Sequence, residues 1–161
     1  MIRNVTVVPV PLTVDEQPTD LKFYLTSRTA DKYVKFVVST IEEWQGERFR
    51  ITLEKENGTV INEATVTAFE KQEITLSTAN FKVSDSGSYR IKLELKGYIL
   101  YSDTFTITVT ECSHPEYHEI THRCTQCGCE LAAAVVKGSK TTGYVNFADA
   151  LAAAQTDANK D

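Results

Sequence analysis

The first 111 residues of this chain contain no cysteine and no histidine. Thiolate or imidazole chemistry and an inter-sheet disulfide are therefore excluded from that stretch. No apolar run approaches the about 20 residues that a membrane-spanning helix needs, so membrane insertion is not expected. There is no basic run either. The net charge is −5 with a pI near 5.3, which makes the chain a poor electrostatic partner for nucleic acid or anionic lipid. The opening segment MIRNVTVVPVPL has no long apolar core and no small-residue cleavage site, and so does not read as a signal peptide. Two explanations fit: a protein made and kept inside, or a segment cut from a longer exported chain.

What is present suits one large or two small domains. The 161 residues are 42% hydrophobic, enough for a packed core. Residues 2–12 read as a first strand, with Val5, Val7 and Val8 available for burial and Pro9 and Pro11 restricting it to an edge or bulge. Residues 15–20 are a polar turn and 21–25 a short strand. Residues 33–41, YVKFVVSTI, have the β-branched and aromatic character of a central strand. Phe49, Ile51 and Leu53 alternate with Arg50, Thr52 and Glu54, the period of a half-buried strand. Asn57-Gly58 turns the chain back into residues 59–66. Further strands are expected at 73–76, 90–95 and 98–109, with Lys96-Gly97 as a tight turn. Short strands at roughly ten-residue spacing with no helical period point to an antiparallel sandwich or barrel.

The segment Asp85-Ser-Gly-Ser-Tyr89 resembles the D-x-G-x-Y signature of immunoglobulin-like domains, at the turn into strand F. The resemblance implies that the Tyr89 hydroxyl bonds back to the turn, that Gly87 supplies an unusual backbone angle and that Asp85 ties the turn. An ordinary polar turn before a strand is the simpler alternative. No cysteine pair joins the sheets and Trp44 precedes its strand, so the likeness is to Ig-like sandwiches in the broad sense.

All four cysteines and all three histidines lie between residues 112 and 129. Cys112-x-His114 forms one short pair and Cys124-x-x-Cys127 a second, followed by Gly128. Two thiolates converging from a tight turn, with a glycine letting the backbone curl under an ion, make a metal knuckle. Three sulfurs and one imidazole complete a tetrahedral Cys₃His set suited to structural Zn²⁺. His118, His122 and Cys129 are close enough to substitute. His114 is preferred because it repeats the short pairing of the knuckle, which leaves Cys129 as a spare thiol. Two disulfides would require a strained local bridge, because Cys124, Cys127 and Cys129 are crowded together. A redox Cys-x-x-Cys usually opens a helix after a strand, which is not the pattern here.

Residues 109–111 mark the expected boundary between a sandwich over 1–110 and a small zinc-stapled hairpin/helix domain over 111–161. Residues 131–137 and 141–145 read as a hairpin around Gly138-Ser139. Asn146 can cap a helix to about residue 155, with Phe147, Ala150, Leu151 and Ala154 on one stripe. The fold class is therefore mainly β. This C-terminal block resembles a recurring segment of large Gram-positive surface proteins: C-x-H, a spacer, C-x-x-C-G, an Ala/Val strand, then Y-x-x-F-x-x-A-L-x-A-A. The matching residues are Cys112, His114, Cys124, Cys127, Gly128, Tyr144, Phe147, Ala150, Leu151, Ala153 and Ala154, while Cys129 departs from the pattern. In those proteins such blocks alternate with Ig-like repeats as spacers or adhesive modules.

The resemblance implies a non-catalytic structural or adhesive module of a bacterial cell-surface protein, with a protein or glycan partner and neighbouring domains in a longer chain. The alternative is an Ig-like phage virion protein decorating a capsid or tail, which the initial Met and the missing signal peptide favour. A weaker alternative is a carbohydrate-binding module using Trp44, Tyr98 and Tyr101. A cysteine nucleophile would need a basic partner, such as His118 or His122 beside Cys129, but a metal explains the cluster better, and no enzyme is expected.

Overall fold

The computed structural model describes residues 6–115 and 117–158. In chain order the strands are β1 (Leu12–Glu16), β2 (Leu21–Tyr24), β3 (Tyr33–Thr40), β4 (Arg48–Lys55), β5 (Val60–Thr67), β6 (Lys71–Ser77), β7 (Gly87–Leu95), β8 (Tyr98–Tyr101), β9 (Phe105–Thr110), β10 (Tyr117–His118), β11 (Arg123–Cys124), β12 (Ala133–Lys137) and β13 (Lys140–Tyr144). One helix, α1 (Phe147–Ala158), closes the described chain. The fold is mainly β. It divides into two compact units, each assembled from more than one segment. The first comprises Met1–Leu21, Tyr33–Thr78 and Gly87–Ile107; the second comprises Lys22–Lys32, Ala79–Ser86 and Thr108–Asp161.

The first unit is built on two antiparallel sheets. In one, β3 lies between β1 and β6. The β-branched and aromatic run of β3 suits that central place, and Val34, Phe36 and Val38 are buried by its two-residue period. The other sheet has six strands in the order β2, β9, β7, β4, β5, with β8 also paired to β7. Ile51 lies opposite Leu93 and Leu53 opposite Ile91, so the apolar positions of β4 and β7 share one face. All four have no solvent exposure. Burying such a side chain stabilises by about 1.5–3 kcal/mol. The turns are those expected: Gly58 (φ 88°) at the β4–β5 hairpin and Lys96-Gly97 (φ 49° and 80°) between β7 and β8.

Two expectations for this unit require correction. Residues 6–11 form no strand, and Val7 and Val8 are exposed (85% and 78%); Val5 lies outside the described residues. Pro9 and Pro11 cannot donate to a ladder, and the first strand begins only after Pro11. The segment 98–109 is two strands rather than one. Its break is at Ser102, whose buried hydroxyl accepts the Ile91 N–H at 2.9 Å and donates to the Asp103 carbonyl at 2.8 Å. A side chain that satisfies the backbone locally replaces the ladder and lets the chain turn.

In the second unit, β12 and β13 form a hairpin with Gly138-Ser139 at its turn, as the sequence suggests. Asn146 caps α1, its side-chain oxygen accepting the Asp149 N–H at 2.9 Å. The helix packs on β12 and β13. Of its predicted apolar stripe, Ala150 is buried, but Phe147 is 66% and Leu151 47% exposed. No described helix is long and apolar enough to cross a membrane.

Candidate metal centre

The Cys/His segment is short of regular structure, and its backbone is held by a few specific bonds. β10 and β11 pair for two residues, Tyr117 opposite Cys124 and His118 opposite Arg123. This pairing carries the chain from the first donor pair back to the second. At the knuckle, Gly128 (φ 73°) donates its N–H to the Cys124 carbonyl at 2.8 Å, and the Cys124 N–H donates to the Cys129 carbonyl at 3.0 Å. A side-chain-bearing residue rarely takes that φ, so the C-x-x-C-G pattern is a backbone requirement as well as a ligand one. His114 also adopts a left-handed conformation (φ 51°). Its N–H points at the Cys112 sulfur, 3.3 Å away, so the Cys112-x-His114 hook curls in the same manner.

The hairpin supports the hook. The His114 carbonyl accepts the Gly143 N–H at 2.9 Å. A methyl group at Gly143 would stand 2.3 Å from Cδ1 of buried Leu131 and 3.4 Å from the His114 Cβ. The absence of a side chain at 143 is thus what lets β13, Leu131 and His114 approach.

These elements bring Cys112, His114, Cys124 and Cys127 together. Their donor atoms all lie within 4.8 Å of one another, and the group can hold a metal ion. The Cys112 and Cys124 sulfurs are 3.6 Å apart, and the Cys127 sulfur is 3.5 Å from Nδ1 of His114. None of the four cysteines is in a disulfide. Cys124 and Cys127 are buried; Cys112 and His114 are half-buried. Cys129 is also turned inward, 3.6 Å from the same His114 nitrogen. The other two histidines are engaged elsewhere. His118 accepts the Thr121 N–H at 3.2 Å, and His122 shares a hydrogen bond with the Tyr117 hydroxyl. Both are exposed.

The thiols of the cluster are unequal. Burial pushes Cys112 up to about 12, helped by the neighbouring Cys124 and Cys127 thiols and opposed by the His114 N–H. Burial likewise raises Cys129, to about 11, together with its hydrogen bond to Cys127. Cys127 is subject to the same burial, yet donors outweigh it. The Thr26 hydroxyl, the Cys129 N–H and thiol, and the Cys112 thiol bring it down to about 7. One negative sulfur is therefore already favoured where a cation would sit. Tyr24, whose hydroxyl accepts from Gln126 at 2.9 Å, and Thr26, whose nearby hydroxyl lowers Cys127, are residues beside the site that the sequence does not reveal. They lie about one hundred residues upstream of Gln126 and Cys127, in a segment with no metal-ligand pattern.

The other singled-out residues sit outside this centre. Asp85 ties its turn by accepting the Lys82 N–H at 2.8 Å. Gly87 has φ 157°, a value rare for other residues, and Tyr89 is wholly buried. Trp44 and Tyr98 meet edge-to-face at 6.3 Å, with Lys96 over the Trp44 ring. The Arg90 guanidinium covers the Tyr101 ring at 4.2 Å. The buried Glu54 carboxylate is paired with Arg90 at 2.7 Å, and the buried Lys32 ammonium donates to the Leu25 carbonyl at 2.7 Å. No protein-family profile matches the chain, and a search of curated proteins finds no match.

Proposed function

We propose that the protein is a non-catalytic structural module in which zinc, held by Cys112, His114, Cys124 and Cys127, staples the second unit. The observation that carries this reading is the spacing of the donors. With metal–sulfur bonds of about 2.3 Å and metal–nitrogen bonds of about 2.0–2.1 Å, a tetrahedral zinc has sulfur–sulfur edges of about 3.8 Å and sulfur–nitrogen edges of about 3.6 Å. The corresponding separations are 3.6 Å for Cys112–Cys124 and 3.5 Å for Cys127–His114. Three thiolates and an imidazole suit zinc over harder ions. Four protein donors fill a tetrahedron, leaving no position for the water or substrate that a catalytic zinc needs. The buried charges Glu54 and Lys32 have structural partners, which also supports a role without chemistry. Elemental analysis of protein purified without added metal should find about one zinc per chain. Protein without metal, carrying four free thiols or two disulfides, would overturn the reading.

The broader role is spacing, display or adhesion, as a module of a bacterial cell-surface protein with an Ig-like first domain. The resemblance of the Cys112 to Ala154 pattern to repeats of Gram-positive surface proteins supports it. So do the antiparallel sheets and the D-x-G-x-Y turn with Gly87 at its unusual angle. Antibody labelling of intact cells of the source organism tests it: surface labelling is expected, and signal confined to the lysed-cell fraction, or to purified phage particles, would transfer the module to another setting.

A further inference from the structure

Zinc coordination by four residues leaves one donor over. The Cys129 sulfur is 3.6 Å from Nδ1 of His114, almost the same distance as the Cys127 sulfur at 3.5 Å. Cys129 packs against the small core of Cys124, Cys127 and Leu131. Its backbone is fixed on both sides: its carbonyl accepts the Cys124 N–H, and the preceding Gly128 carbonyl accepts the Arg123 guanidinium at 2.8 Å. The turn that presents Cys127 therefore presents Cys129 to the same place. A tetrahedral ion has four positions, and the segment offers five donors.

We propose that Cys129 is a reserve ligand that takes the position of His114, so that the site can pass from Cys₃His to Cys₄ coordination. This rests on the zinc-site reading above. The exchange replaces a neutral imidazole by a thiolate, with the Cys129 proton released to solvent. It changes the charge of a zinc site from −1 to −2. In a half-buried site the added charge favours His114 as the resident donor when the ion is zinc. A softer ion, such as cadmium or copper(I), gains more from a fourth sulfur and shifts the balance to Cys129. The Arg123 guanidinium beside Gly128 is placed to offset part of the added charge.

The test is titration of the reduced full chain with cobalt(II), whose thiolate charge-transfer absorption grows with the number of bound sulfurs. Wild type and Cys129→Ser should bind one cobalt with the same band. His114→Ala should still bind one cobalt, with a band about 1.3-fold stronger, four sulfurs replacing three. The double variant His114→Ala/Cys129→Ser should bind at least tenfold more weakly than His114→Ala. The proposal is overturned if His114→Ala binds no cobalt, if its band does not rise, or if the double variant binds as well as the single one. It is also overturned if Cys129→Ser alone weakens the wild-type band, since Cys129 would then be a resident ligand. Wild type that binds no cobalt would remove the metal reading itself.

Discussion

In the first unit Phe36, Phe49, Ile51, Leu53, Ile91, Leu93 and Ile107 are almost wholly withdrawn from water, whereas among the described residues beyond Thr110 the buried apolar ones are Cys124, Cys127, Leu131 and Ala150. Of the larger side chains of that C-terminal stretch, Tyr117 and Tyr144 are half-buried, and Ile120, Val136, Val145, Phe147 and Leu151 are exposed. One region thus draws on ordinary apolar burial. The other has two sulfurs, one leucine and one alanine buried, with Tyr24 and Tyr117 packed at the edge of the sulfur–leucine cluster, a small apolar area to set against the entropy of ordering the chain. The contrast teaches that the Cys/His cluster occupies the place that a hydrophobic core holds in the first unit.

The largest effect should come from the double variant Cys127→Ser/Cys129→Ser, which removes a ligand together with the spare thiol beside it. Loss of a ligand removes most of the metal's contribution to folding, which is roughly 10 kcal/mol in small zinc peptides. Metal content should fall to near zero, and circular dichroism should lose the helical signal of α1 while the strand signal persists. Next, Leu93→Ala opens a cavity in a core with no metal to lean on and should cost about 2–5 kcal/mol in chemical denaturation. It should leave metal content unchanged. A smaller effect, about 1–3 kcal/mol, is expected for Gly143→Ala, because the new methyl group forces buried Leu131 to move. Its distinguishing readout is metal affinity, which should drop because His114 hangs on the Gly143 N–H. The smallest effect belongs to Phe147→Ser, within about 0.5 kcal/mol, since that ring is mostly in water. A loss of several kcal/mol there would show that the ring is a core anchor, and the contrast between the first unit and the C-terminal stretch would fail.

Much of the strand pattern could be read from residues that force one backbone. Asn57-Gly58, Lys96-Gly97 and Gly138-Ser139 mark turns that only certain residues accommodate, and the apolar alternation of β4 fixes which face is buried. The Cys/His cluster was legible for the same reason: thiols and an imidazole at close spacing, with Gly128 where the backbone must curl. What the sequence hid depends on tertiary context. Val7 and Val8 look like strand residues, yet the neighbouring prolines deny them a ladder. Ser102 reads as one more strand position until its hydroxyl is seen replacing a ladder bond. Phe147 and Leu151 keep perfect helical spacing, but of that stripe only Ala150 is buried. Thr26 acts on Cys127 from a segment that carries no hint of the site, because local sequence does not encode which distant turn packs beside a knuckle.

The central claim is that metal, and not an apolar core, holds the C-terminal region in shape. The most direct measurement is an amide NMR spectrum of the full chain, reduced, before and after chelation. On metal removal residues 112–155 should collapse to random-coil shifts, while the amides of β3, β4 and β7 keep their dispersion. Dispersed signals from Tyr144 to Leu151 in metal-free protein would contradict it, showing that the hairpin and α1 sustain themselves without the ion.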